Sequence, residues 1–303
     1  MTIYPKINIL FCSLFLICAC SNRMTLDKLK DQINDKLAEQ PGKFSVAFKD
    51  LSTGETLLIN EQTYFHAAST MKTPVMIEVY KQAAAGSFSL NDSFVLRNQF
   101  KSIVDSSTFS LNPDDDSEQE LYRHLGEKRS LYNLVYDMII MSSNLATNMV
   151  IELVNARNVT QTMRQLGAGK IQVLRGVEDA RAYAKGFNNV TTSLDLLVIF
   201  EKMARGEIID STACDAMIRI LLDQHFNEII PARLPREVKV AHKTGNISHV
   251  QHDSGIVFFP NGKKYVLVLL SKDLQDEEKA KKAMAEVSEM IYKYVSRSDK
   301  PID

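Results

Sequence analysis

The chain has 303 residues, 45% hydrophobic and 24% charged, which is ample for a sizeable core. A formal net charge of −1 gives no electrostatic footing for binding nucleic acid. No internal repeat, heptad run or low-complexity tract is present, which excludes solenoids and coiled coils.

The first element is a leader. Lys6 precedes an apolar run from Ile7 to Ala19, broken only by Asn8 and Ser13. A positive residue ahead of a short apolar run reads as a secretory signal, and the run is too short to span a bilayer comfortably. It ends in Ile17-Cys18-Ala19-Cys20, which resembles a bacterial lipobox. Such boxes are cleaved before the cysteine, whose thiol is then lipidated. Ala19 supplies the small residue before the cut, so Cys20 is the expected lipid carrier. Residues 1–19 then form a lipoprotein signal peptide and residues 20–24 a lipidated tether. An ordinary signal peptide with incidental cysteines is the alternative. Once Cys12 and Cys18 leave and Cys20 is acylated, Cys214 stands alone and no intramolecular disulfide is expected.

Residues 25–40 read as an amphipathic helix with Leu26, Leu29, Ile33 and Leu37 on one face, stopped by Pro41-Gly42. Phe44, Val46 and Phe48 alternate with Ser45 and Ala47 as in a strand. A turn at residues 52–55 leads to a second strand at 56–60. Next comes Ser69-Thr70-Met71-Lys72, read as the start of a buried helix with Pro74 tolerated in its first turn. Residues 86–235 read as mostly helical. Within them, 112–120 is acidic and turn-rich and reads as a solvated loop. From Val238 the period becomes two, giving strands at 239–243, 254–259 and 264–271, the last two joined by Pro260-Asn261-Gly262. Residues 276–297 form a closing amphipathic helix, and 298–303 a tail.

Three short motifs carry chemistry. In Ser69-x-x-Lys72, helical spacing puts a lysine amine on the same face as a serine hydroxyl. Serine is a weak nucleophile and needs such a neighbour to take its proton. Ser142-Ser143-Asn144 and Lys243-Thr244-Gly245 follow in order. Alone, each also fits a bland reading: a surface helix pair, local packing within a helix, or a strand entering a turn. Together they resemble the S-x-x-K, S-x-N and K-T-G set of the class A serine β-lactamases and penicillin-recognising serine hydrolases. Phe65, four residues before Ser69, adds to that likeness.

The resemblance covers roughly residues 25–297 and implies an α+β, serine β-lactamase/transpeptidase-like fold. An antiparallel sheet lobe with flanking terminal helices (25–65 and 236–297) would face an all-α lobe (66–235) across a cleft. It implies catalytic roles for Ser69, Lys72 and Ser142. Substrate binding falls to Asn144, Lys243, Thr244 and Gly245, and the Ser69 and Asn246 amides form the oxyanion hole. Glu178 falls where class A enzymes carry the glutamate that activates water for deacylation. A solvated acidic pair with Arg181 is the competing reading of that glutamate.

The chain departs from the class A pattern in three places. Ser143 replaces the usual aspartate. Ala182 replaces the asparagine four residues after the glutamate, in a loop that looks shortened. His252-Asp253-Ser254-Gly255 stands at a strand start where many relatives place an arginine, leaving carboxylate recognition to Lys243 and Thr244. His249, His252 and Asp253 have the right types for metal ligands, but no further cluster completes a site, so neither metal nor cofactor is expected. No G-x-S-x-G elbow is present, which argues against an α/β-hydrolase.

The expectation is a monomeric, exported and lipid-anchored serine β-lactamase that turns over a small-molecule β-lactam. The alternative is a cell-wall peptidase or other penicillin-binding amide hydrolase with the same acylation machinery. A non-catalytic cell-wall-binding module is the third reading, and the complete Ser69, Lys72, Ser142 and Lys243 set argues against it.

Overall fold

Thr25 caps the first helix, α1 (Leu26–Ala38), by accepting the Lys28 amide, and Leu29, Ile33 and Leu37 line its buried face. The structure, a computed structural model, describes residues 24–297; the expected signal peptide, Cys20 and the tail at 298–303 lie outside the described residues. The hairpin β1 (Lys43–Asp50) and β2 (Thr56–Ile59) follows, then a two-residue strand, β3 (Phe65–His66). A 3-10 turn over Ala68–Met71 leads into α2 (Lys72–Ala84).

The next stretch differs from the helical expectation. Residues 86–130 hold short ribbons: β4 (Ser93–Val95), β5 (Phe100–Lys101), β6 (Thr108–Phe109), a single helical turn α3 (Glu120–Arg123), and β7 (Lys128–Ser130). β4 pairs with β7 and β5 with β6. Strands of two or three residues are too short to leave a period in sequence. The helical block proper is α4 (Leu131–Ile140), α5 (Asn144–Val154), α6 (Ala156–Gln165), α7 (Ala180–Ala184), β8 (Val190–Thr191), α8 (Ser193–Ala204) and α9 (Ser211–Leu222). Ser130, Ser143, Thr192 and Asp210 cap α4, α5, α8 and α9 through their side chains.

The chain ends in β9 (Lys239–Ile247), β10 (Val250–Phe258), β11 (Lys264–Lys272) and α10 (Glu277–Arg297). Five strands form one antiparallel sheet in the order β2-β1-β11-β10-β9. The period of two divides its residues between two cores. Phe48, Val257, Tyr265, Leu267 and Leu269 pack with α1 and α10, whereas Ala47, Ile256, Val266, Val268 and Leu270 pack with the helical block. Each large aliphatic side chain so buried contributes roughly 1.5–3 kcal/mol of transfer free energy. Ile229 and Ile230 already belong to the α1–α10 core, so the chain rejoins the sheet side before residue 236.

β9 is therefore an edge strand, as the third motif requires. Its free edge faces the Ala68–Met71 turn and the N-terminus of α5, with a cavity of about 850 Å³ between them. No described helix is long and apolar enough to cross a membrane.

Candidate active site

Ser69 sits on a tightly wound turn. It lies in the 3-10 segment just ahead of α2, and Lys72 is the first residue of that helix. The expected single helix is thus a 3-10 turn followed by an α-helix. Lys72 Nζ makes its hydrogen bonds to Ser142 and Asn144, not to Ser69. The preceding Ala68 has φ +45°, a left-handed conformation that costs a non-glycine residue about 1–3 kcal/mol. Two histidines hold it there. The Ala68 amide donates to His66 Nδ1 at 3.0 Å, and His252 Nε2 donates to the His66 carbonyl at 2.9 Å. His252 Nδ1 in turn accepts the Ser271 amide from β11. Both ring nitrogens are used as in a neutral imidazole, and burial lowers the His252 pKa to about 4.

Ser69 lines the cavity, and its hydroxyl and amide have no hydrogen-bond partner among the described residues. β9 passes close beside it. A Cβ on Gly245 would lie 3.2 Å from the Ser69 nitrogen and 3.1 Å from Thr70 Cγ2. Glycine is what lets the strand come this near. The same approach brings Asn246, the next residue along β9, into the cavity lining with Ser69.

Lys72 is fully buried and points at the second motif. Its Nζ donates to the Ser142 carbonyl at 2.6 Å, to Ser142 Oγ at 3.1 Å and to Asn144 Oδ1 at 3.1 Å. Lys243, also fully buried, reaches the same Ser142 Oγ at 3.0 Å. One hydroxyl therefore bridges two buried amines. Burial lowers the Lys72 pKa to about 7, with Asp116 and Glu178 opposing. Burial and the charge of Lys72 hold Lys243 well below the ordinary lysine range, with Asp253 opposing. Such a pair titrates as a unit and does not hold two full charges cheaply. Ser142 has φ +58°, a second strained non-glycine residue in the cavity lining.

Ser143, in place of the aspartate, is buried and serves as the α5 cap, accepting the Ala146 amide at 3.1 Å. Asn144 links the lysine to the far wall: its Nδ2 donates to Glu178 Oε1 at 2.7 Å. Glu178 is exposed at the cleft mouth, yet the surrounding protein raises its pKa through desolvation. Its φ is +59°. Arg181 does not pair with it and binds Asp105 instead, at 2.5 Å. The loop is clamped one residue earlier: Asn148 accepts the Val177 amide at 2.7 Å and donates to the Val177 carbonyl at 3.1 Å. Gly176 makes room for that clamp, since its Cβ would fall 2.1 Å from Asn148 Oδ1. Ala182 is buried inside α7, and the cap residue Asp179 accepts its amide at 3.0 Å. Thr244 and Gly245 line the cavity with Ser69, Ser142, Asn144 and Glu178.

Sequence reasoning misses several functional neighbours. Asp116, within the stretch expected to be a solvated loop, is 4% exposed and sits on the α5 N-terminus. A carboxylate within an acidic run carries no sign of which member turns inward. His66 lies within the nucleophile segment, where the motif gives it no role. His242 forms a buried pair with Asp253 at 2.8 Å, behind Lys243. His252 and Asp253 lie well inside β10, opposite Gly245 and Thr244, rather than at a strand start. Among the described residues no group of histidine, cysteine, aspartate and glutamate is placed to hold a metal ion.

A sequence model of the beta-lactamase enzyme family matches residues 28–295. Beta-lactamase VEB-1 of Pseudomonas aeruginosa is 20% identical over 97% of this chain and 99% of its own length. A β-lactamase structure from Sphaerobacter thermophilus superposes with a TM-score of 0.77 at 25% identity, covering 89% of this chain and 99% of that one. A PBP-A variant, solved as an acyl-enzyme complex with penicillin G, matches with a TM-score of 0.77 at 27% identity, over 90% and 97%. Motif order, two-lobed architecture and the family match agree: the chain belongs to the beta-lactamase enzyme family, within the penicillin-recognising serine hydrolases.

Proposed function

We propose that this chain is a lipid-anchored, class A-like serine β-lactamase that opens the lactam amide through an acyl-enzyme on Ser69. The observation that carries the reading is the Ser142 hydroxyl held between Lys72 and Lys243 at 3.1 and 3.0 Å. Ser69 Oγ attacks the lactam carbonyl carbon and gives its proton to neutral Lys72, or to Glu178 through a water. The oxyanion is held by the Ser69 and Asn246 amides. As the C–N bond breaks, Ser142 donates a proton to the leaving nitrogen and is reprotonated from the lysine pair. Lys243 and Thr244 take the substrate carboxylate, whose charge favours protonated Lys243. Asn144 binds the side-chain amide, and Gly245 lets the substrate backbone lie close to β9. Glu178 then takes a proton from the water that attacks the ester.

A second reading is a penicillin-binding amide hydrolase that acylates but deacylates slowly. It is favoured by the exposure of Glu178, by a clamp that grips Val177 instead, and by the likeness to PBP-A. Chromogenic cephalosporin turnover, measured beside labelling by a fluorescent penicillin, separates the two. Turnover with transient labelling supports the lactamase; stable labelling without turnover supports the second reading; neither would sink both.

Export and lipidation rest on the apolar run and Ala19-Cys20. Cys20→Ala is expected to leave the precursor unprocessed or the protein unanchored. Normal mature mass with detergent partitioning in that variant would refute the lipid anchor.

A further inference from the structure

The segment at residues 115–118 braces the second motif from both sides. Before the motif, Ser117 Oγ donates to the Met141 carbonyl at 2.6 Å. After it, Asp116 Oδ2 accepts the Asn144 and Leu145 amides, each at 2.9 Å. Between these anchors stands Ser142 with φ +58°. A turn strained in this way persists only where its surroundings over-determine it. The carboxylate is itself fixed. Tyr122 Oη donates to Oδ2 at 2.8 Å and the Glu118 amide to Oδ1 at 3.1 Å.

Position and charge then act together. The free amides of a helix N-terminus favour an anion, and here the anion is 4% exposed. Ser143 contributes only a neutral cap to this helix, and Asp116 is the carboxylate that takes its backbone amides. Asn144 joins Asp116 to Lys72, since its amide donates to Asp116 at 2.9 Å and its Oδ1 accepts from Lys72 at 3.1 Å; Asp116 and Glu178 favour the Lys72 ammonium by charge and Lys243 opposes it.

We propose that Asp116 is a positioning residue for acylation, holding the Ser142–Asn144 turn in place and setting the charge balance at Lys72. The acylation half of this proposal rests on the Ser69 reading above; the charge half does not.

The test compares wild type, Asp116→Asn and Ser117→Ala in the full chain. The first readout is a 13C-lysine titration of the Lys72 ε-methylene, which needs no substrate. Loss of the carboxylate removes support for the ammonium, so the Lys72 midpoint should move to lower pH in Asp116→Asn and stay put in Ser117→Ala. The second readout is the rate of labelling by a fluorescent penicillin against pH. Above both midpoints, Asp116→Asn should acylate up to about a hundredfold more slowly, the scale of a misplaced reacting group. Its acid limb should follow the Lys72 midpoint downward. An unmoved Lys72 midpoint in folded Asp116→Asn overturns the proposal, whatever the labelling does. A wild type that never labels instead refutes the Ser69 reading, and the titration still judges Asp116. A Ser117→Ala variant that labels at the wild-type rate, beside an Asp116→Asn that does the same, also overturns it.

Discussion

Lys72 and Lys243, which meet at Ser142 from the two lobes, are 0% exposed, whereas Glu178 at the cleft mouth is open to solvent. The lysine side is cross-braced by Ser142, Asn144, Asp116 and the His66–His252 pair. The Glu178 loop is held on either side of the glutamate, by Asn148 on Val177 and by Ser102 and the Ile103 amide on Asp179, while Glu178 itself has one bond from Asn144. Burial suits the first task. A lysine becomes a base near neutral pH only where its charge is disfavoured, and Ser69 needs that base beside it. Openness suits the second, since a hydrolytic water must enter. The difference predicts that the two steps of one reaction can be damaged separately.

The largest effect should come from the braced side. Ser69→Ala is expected to abolish covalent labelling by a penicillin, a loss on the order of a millionfold in turnover where a serine nucleophile is removed. Intact-mass spectrometry checks it; undiminished labelling would place the nucleophile elsewhere. On the open side, with Lys72 as the acylation base, Glu178→Ala should spare acylation and slow deacylation by about a hundred- to ten-thousand-fold. Single-turnover kinetics resolve the two rates, and an unchanged deacylation rate would mean another group activates the water. The smallest effect should come from Gly176→Ala. Its new Cβ would meet Asn148 Oδ1 at 2.1 Å, so the clamp on Val177 must shift. Deacylation should slow by about tenfold, the scale of a modest misplacement, with acylation spared. If acylation falls equally, the two sides are mechanically one.

Much of this division is legible in the amino-acid sequence. The sheet meets α1 and α10 on one face and the helical block on the other, so β11 stands out as a near-continuous apolar run, while β1 stands out by its alternation of Phe44, Val46 and Phe48 with smaller residues. Ser69, Lys72, Ser142 and Lys243 stand out because each motif is short and local. The ribbons β4 to β7 do not, because two- and three-residue strands have no period. Asp116 is hidden because its role depends on a tertiary turn that brings residue 116 onto a helix starting at residue 144. His66 and His252 are hidden for the same reason: their partners lie far apart in the chain, on β3 and β11. At Glu178 the residue is legible and its surroundings are not. The competing reading of Glu178 pairs it with Arg181, and the fold gives that arginine to Asp105.

The central claim is that a braced side acylates and an open side hydrolyses. A time course of intact mass after mixing the wild-type chain with benzylpenicillin tests it most directly. The account predicts a Ser69 adduct that rises within the first turnovers and decays as hydrolysed penicillin accumulates. An adduct that forms and never decays would contradict the hydrolytic role of the Glu178 side, and no adduct with no product would contradict the account as a whole.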